Sequence, residues 1–353
     1  MRRTSSILTI AALVLFGLLN TALGQNSSSG NAKGSHVSQP TKLSLPLKDG
    51  SVRFAIIGDT GTGSRKQQEL ADVMLQYRHA FPFEVVLMLG DNLYGGETPA
   101  DFKKKFEDIY RGLLDEKVKF YATLGNHDQP NQRFYQNFNM NGEEYYRFSK
   151  GNVAFYSLNS NYMDKNQVQW LEDELAKDTA EWKICFFHHP PYSSGGKHGS
   201  DKQLRKVVEP IFLKYGVNVV LSGHDHFYER IKPQMGIYYF VSGAGGKLRE
   251  GNVKENSPLT DKFFDSDMSF MLVEIANNQM YFQAVSRTGE TVLRPRPWRS
   301  IRHPRCRKHR RFFSSRQRRV RRGAVRHAVG GGSGAFSVRG CSGNPGRTSA
   351  ADG

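Results

Sequence analysis

Apolar residues in this chain come in short blocks that alternate with amphipathic stretches. Residues 52–57 (VRFAII) and 84–89 (EVVLML) read as buried strands. Between them Leu70, Val73, Met74 and Tyr77 recur at helical spacing and predict a helix over 65–79. A second helix is expected over 101–114 and a third strand over 118–124. The opening is thus β-α-β-α-β, each strand running into glycine and a polar loop. Residues 145–148 and 153–158 flank Ser-Lys-Gly-Asn and predict a hairpin. A helix follows over 165–178, where Asp164 and Gln167 resemble a capping pair. Strand 182–187, helix 201–214 and strand 217–221 come next, then strand-like runs at 237–241, 269–275 and 280–285. This alternation predicts an α/β domain with mixed sheets.

Both ends break the pattern. Arg2 and Arg3 precede an apolar run over 7–19, and Ala22-Leu23-Gly24 offers small residues for cleavage. Residues 1–24 are therefore expected to be a secretory signal peptide, the alternative being an uncleaved anchor. Residues 25–42 are rich in Ser, Asn and Gly and read as a disordered linker. The globular domain is placed at 43–293, long enough for one large core. No other stretch is apolar enough to span a bilayer, so an exported, secreted or periplasmic protein with no membrane attachment after cleavage is expected. From residue 294 on periodicity disappears, and residues 294–353 hold 16 Arg, one Lys and one acidic residue, Asp352. Most of the net charge of +17 sits there, so the basic balance does not mark a nucleic-acid-binding face on the domain. Segment 294–353 is expected to be unstructured. It is either a basic tail for anionic polymers or sequence foreign to the domain, as from a shifted reading frame. The three cysteines, Cys185, Cys306 and Cys341, provide neither a disulfide framework nor a zinc-type pair.

The chemistry gathers at the strand ends. Gly58-Asp59-Thr60-Gly61 follows the first strand, Gly90-Asp91-Asn92-Leu93-Tyr94 the second and Gly125-Asn126-His127-Asp128 the third. His188-His189-Pro190 follows strand 182–187, and Gly223-His224-Asp225-His226 follows strand 217–221. Taken alone, His224 and His226 fit half a metal site or a solvated polar loop equally well. Five strands delivering Asp, Asn or His to the carboxyl end of a sheet are another matter, because ligand sites form there in α/β folds. Carboxylate, amide oxygen and imidazole together suit first-row metals of intermediate hardness. They are too many for one ion and about enough for two, an arrangement that can clamp a phosphoryl group.

This set, over roughly residues 52 to 245, resembles the calcineurin-like metallophosphoesterases, and Tyr94 makes it similar to the purple acid phosphatases, in their small, tartrate-resistant, single-domain form. The resemblance implies a four-layer α/β/β/α sandwich with two mixed sheets. It implies Asp59, Tyr94 and His226 as ligands of Fe(III), Asn126, His188 and His224 as ligands of a divalent Fe, Zn or Mn, and Asp91 as the bridge. His127 is implied beside the phosphate as hydrogen-bond donor or general acid, with His198 as the further catalytic candidate. The implied activity is hydrolysis of small phosphate monoesters in acid, by in-line attack of a metal-bound hydroxide. A phosphodiesterase or nucleotidase of the same superfamily is the alternative, and a polyanion-binding protein acting through the Arg-rich tail is the rival of another class. Tyr94 could instead be a packing residue. His189 fits the ligand pattern less well than His188. Asp128 and Asp225 are open as partners that orient a ligating His, although for Asp225 a solvated loop carboxylate is expected. Tyr192 and Tyr228 could line the cleft or pack, Lys197 is expected to be solvated, and Cys185 is expected to be a small buried hydrophobe.

Overall fold

The computed structural model describes residues 42–292 and the backbone of Ile301–Arg302. The expected signal peptide (1–24), nearly all of the linker (25–42) and the rest of the Arg-rich segment lie outside the described residues.

The chain opens with β1 (Val52–Ile57), α1 (Arg65–Ala80), β2 (Val85–Met88), α2 (Pro99–Phe102), α3 (Arg111–Asp115) and β3 (Lys119–Ala122). The hairpin β4 (Tyr146–Lys150) and β5 (Val153–Ser157) follows, then α4 (Lys165–Lys177), β6 (Trp182–Phe187), α5 (Lys202–Tyr215) and β7 (Val219–Ser222). After these come β8 (Tyr228–Ile231), β9 (Tyr238–Ser242), β10 (Thr260–Phe264), β11 (Ser269–Ala276), β12 (Gln279–Ser286) and β13 (Ile301–Arg302). One six-stranded sheet has the order β13-β12-β11-β1-β2-β3 and a seven-stranded sheet the order β10-β8-β9-β7-β6-β5-β4. Both are mixed. β1, β2 and β3 run parallel, as do β5, β6, β7 and β9, and the flanking strands are antiparallel.

Period-two side-chain alternation builds the layers. On β6, Trp182, Ile184 and Phe186 face the core shared with the first sheet, while Cys185 and Phe187 join the cluster under α4 and α5. Phe54 of β1 meets Phe155 of β5 edge to face, with ring centroids 5.2 Å apart. Phe240 of β9 meets Phe282 of β12 at 5.1 Å. Leu70, Met74 and Tyr77 of α1 belong to the first core, Leu171, Leu175, Leu204, Val208 and Phe212 of α4 and α5 to the second. The result is the expected α/β/β/α sandwich, with both sheets burying apolar faces against each other.

Two local expectations change, and one pair of strands is added. Residues 101–114 are not one helix. A π-turn over Lys103–Glu107, closed by Asp108 N donating to Lys103 O, separates α2 from α3. The break aims Lys105 Nζ at the carbonyls of Tyr94 and Gly96, so it braces the loop that follows β2. Asp164 caps α4 through Gln167 N at 2.8 Å, but the Gln167 side chain does not complete a capping box. It bonds Asn159 N, Asn159 O and Tyr162 O instead, holding the loop after β5. Strands β8 and β10, which show no clean alternation, pair with each other at the edge of the second sheet.

Candidate metal centre

The two sheets bring their carboxyl edges to one place. Asp59 and Asp91 follow neighbouring parallel strands, tied by Asp59 N to Gly90 O and Thr60 N to Asp91 O. Gly223 N donates to His188 O, which sets the loops after β6 and β7 side by side. The backbones approach closely. A Cβ on Gly125 would stand 2.3 Å from Asp91 Oδ1, and one on Gly223 would stand 2.6 Å from Asp59 Oδ2. Asp59, Asp91 and His224 have φ of 55°, 50° and 69°, a left-handed conformation uncommon for residues with a Cβ and frequent at functional sites.

All of the expected ligands meet here, in two groups. Tyr94's hydroxyl lies 2.9 Å from Asp91 Oδ2, 3.3 Å from Asp59 Oδ1 and 3.5 Å from His226 Nε2. His226 Nε2 is 3.3 Å from Asp59 Oδ1. On the other side His188 Nε2 lies 3.0 Å from Asn126 Oδ1, 3.1 Å from His224 Nδ1 and 3.4 Å from Asp91 Oδ1. Asp91 therefore turns one oxygen to each group. Asp59, Asp91 and His226 form one constellation able to hold a metal, and His188, His189 and His224 another.

The donor chemistry fits cations. Leu89 O accepts from His188 Nδ1 at 2.9 Å, which makes Nε2 the lone-pair nitrogen. That lone pair faces the acceptor oxygens of Asn126 and Asp91. Asp59 and Asp91 are buried, and no Lys or Arg among the described residues forms an ion pair with either. Burial and then the charge of Asp91 raise the Asp59 pKa well above the carboxylate range, against the pull of His224 N–H. Burial followed by neighbouring imidazoles holds His188 and His224 well below the usual histidine value. Burial, then Arg249 and Lys247, brings His226 down to about 4. Buried carboxylates and neutral imidazoles with converging lone pairs are donor types that suit first-row metal ions.

His127 and His198 lie at the rim. The exposed ring of His127 packs against Tyr94 at 5.1 Å, and the His127 backbone N–H donates to Asp91 Oδ1. The His198 ring is 4.3 Å from that of His224. Asp128 is a buried brace. It accepts from the backbone N–H groups of Asn92, Leu93 and Gly125 and from the side chains of Asn92 and Gln132. Burial and then Asp91's charge nonetheless push it up to about 8.

Asp225 corrects the expectation of a solvated carboxylate. It is 0 % exposed and accepts from Ser193 Oγ and Gly199 N. Tyr228 and Tyr192 are both buried. His189 comes closer than expected, its ring 4.5 Å from His224, with Nδ1 taken by Ser160 Oγ. Lys247, whose Nζ stands 3.3 Å over the Tyr94 ring, had no sequence signal beyond a Gly-rich stretch after β9.

Residues 52–228 match the family model of the calcineurin-like phosphoesterases, half of the chain and every expected ligand. The chain belongs to this family. Among relatives of this phosphoesterase, "Purple acid phosphatase 3" of Arabidopsis thaliana is 28% identical over 306 residues, covering 76% of this chain and 82% of its own. "Tartrate-resistant acid phosphatase type 5" of Oryctolagus cuniculus is 28% identical, over 58% of this chain and 77% of that protein. Two solved structures share the fold. GAP50, described as the anchor in the inner membrane complex of Plasmodium, superposes with TM-score 0.59 and 23% identity, over 69% of this chain and 87% of its own. The purple acid phosphatase PPD1 from yellow lupin seeds superposes at 0.58 with 19% identity, over 70% of this chain and 53% of that longer one.

Proposed function

We propose that this phosphoesterase is an exported acid phosphatase of the purple type, hydrolysing small phosphate monoesters at a binuclear centre of Fe(III) and a divalent Fe, Zn or Mn. One observation carries the reading: the Tyr94 hydroxyl set between Asp59, Asp91 and His226. Burial and then the charges of Asp59 and Asp91 raise the Tyr94 pKa, so only a strongly Lewis-acidic cation would hold it as phenolate. Asp59, Tyr94 and His226 would hold that ion, Asn126, His188 and His224 the divalent one, with Asp91 facing both. Two such ions supply a clamp for the phosphoryl group and an acidified water for in-line attack. The chain's own residues do the rest. His188 is kept neutral and oriented by Leu89 O. His127, exposed beside Tyr94, delivers a proton to the leaving oxygen. His198, against His224, hydrogen-bonds the phosphoryl oxygens. Among the described residues no helix is long and apolar enough to cross a membrane.

The test is metal analysis of the purified protein with its visible spectrum, alongside rates on p-nitrophenyl phosphate and its bis-ester in acidic and alkaline buffer. Two bound ions, iron among them, a visible tyrosinate band and faster monoester hydrolysis in acid are expected. A colourless two-metal protein rules out the tyrosinate–iron centre. Faster cleavage of the bis-ester makes it a diesterase.

A further inference from the structure

His198 is exposed on the loop after β6, in the run Gly195-Gly196-Lys197-His198-Gly199-Ser200, whose glycines give it little conformational preference. Two buried carboxylates, both from the chain around and after the metal-side histidines, hold the feet of that loop. Asp225 Oδ2 accepts from Ser193 Oγ at 2.5 Å and from Gly199 N at 3.1 Å, so it ties one end of the loop to the other. Glu229 Oε2 accepts from Ser194 N at 2.9 Å, and its Oε1 accepts from Thr260 Oγ1 at 2.5 Å. Ser194 Oγ donates to Ser257 Oγ at 2.6 Å, and Gly196 N donates to Asn252 O at 2.8 Å, which straps the loop to the segment after β9. The wrap is tight. A Cβ on Gly195 would stand 2.4 Å from Asp225 Oδ2, and Gly199 has a φ of 74°. Both carboxylates are 0 % exposed. No Lys or Arg among the described residues forms an ion pair with either, and Arg230, next to Glu229 in sequence, pairs with Asp261 instead. Asp225 Oδ1 is buried with no hydrogen-bond partner. Two buried carboxylates without a counter-cation are costly where apolar side chains could pack. Their visible effect is to fix the path of one exposed loop, and the imidazole that loop carries is His198, its ring 4.3 Å from that of His224.

Resting on the acid-phosphatase reading, in which His198 hydrogen-bonds the phosphoryl oxygens, we propose that Asp225 and Glu229 are positioning residues that act through His198. Asp225 closes the loop on itself. Glu229 sets where the closed loop stands against β8 and β10, and with it the reach of the imidazole over the metal centre. Glu229 carries the sharper consequence, because its bonds go to Ser194 and Thr260 and to no expected metal ligand. Turnover depends on it only while His198 is present. A carboxylate that merely supports the fold lacks that dependence, and a double-mutant cycle separates the two.

The experiment measures kcat and KM for p-nitrophenyl phosphate in the metallated full chain. The proteins are wild type, Glu229→Gln, Ser193→Ala, His198→Ala, and the two doubles that combine His198→Ala with each of the others. Metal content, visible spectrum and thermal melting are checked on every one. Glu229→Gln and Ser193→Ala are each expected to lower kcat/KM by roughly tenfold with metal content unchanged, and to cause no further loss in the His198→Ala background. Thr260→Ser, which keeps the hydroxyl on Glu229, should behave as wild type, and Thr260→Val as Glu229→Gln. Losses that multiply in the doubles, or that follow metal content or melting temperature, overturn the proposal. So does full activity in either Glu229→Gln or Ser193→Ala. Should Glu229→Gln fail to fold, the Ser193→Ala half of the cycle decides alone. His198→Ala as active as wild type removes the role of the loop, and this inference with it, but leaves the phosphatase standing. A fully metallated wild type inert toward p-nitrophenyl phosphate sinks the phosphatase reading itself and the inference that rests on it.

Discussion

His188, at the end of β6 in one sheet, donates from Nδ1 to the carbonyl of Leu89, just past β2 in the other, at 2.9 Å. This bond crosses the sandwich and does two things. It satisfies a buried carbonyl, and it leaves Nε2 as a lone pair aimed at Asn126, Asp91 and His224. Replacing His188 by Ala removes the ligand and its orienting bond together. The expected outcome is loss of about one equivalent of metal with the fold retained, read by elemental analysis and circular dichroism.

Tyr94→Phe keeps the ring under Lys247 and against His127 but removes the hydroxyl facing Asp59 and Asp91. The visible absorbance of the metallated protein should disappear while part of the hydrolysis survives. A band persisting in the variant would assign the colour to another residue.

Asp128→Asn tests the brace under the loops after β2 and β3. Five donors converge on this carboxylate, and an amide in its place must turn an NH₂ group toward some of them. Metal-free variant should be less stable by about 2 kcal/mol in urea titration, on the ordinary scale for a buried group left mispaired. Metal affinity should fall as well, since Asn92 and Leu93 lie between Asp91 and Tyr94. A variant as stable as wild type would deny the brace.

Asp178 lies far from this chemistry and reports on fold stability. Burial opposes its charge, yet hydrogen bonds from Tyr156 and Ala180 N and the nearby Arg147 hold its pKa below the ordinary carboxylate value. A depressed carboxylate stabilises the fold above its unfolded pKa and loses that contribution as pH falls through the folded value. Asp178→Asn should therefore be less stable than wild type by about 2 kcal/mol at neutral pH. The gap should narrow only below about pH 4. A gap constant across that range would remove the charge from the explanation.

The limits of the sequence reading follow from particular residues. β1 and β6 were legible to the residue because six-residue apolar runs bounded by polar turns admit one interpretation. β10, with Asp261 and Lys262 exposed, carries no such signal and exists only because β8 offers it an edge. The π-turn at Lys103–Glu107 was hidden because Lys, Phe and Glu suit either helix type, and the choice answers to the Tyr94 loop. Asp225 looked solvated since a carboxylate between two histidines in a glycine loop is usually wet. Ser193 and Gly199, distant in sequence, bury it.

What the chain determined by itself is the list of candidate ligands and their order, because each lies just past an apolar strand, most behind a terminal glycine, and those are local properties. What only tertiary structure decided is the grouping. Asp91 turns Oδ2 to Tyr94 and Oδ1 toward His188, and Lys247 and Arg249 come to the mouth beside Tyr94 and His226. Those relations depend on two sheets packing face to face and on loops strapped across a gap of some fifty residues. Contacts at that separation are set by packing of the whole core, which no local pattern encodes.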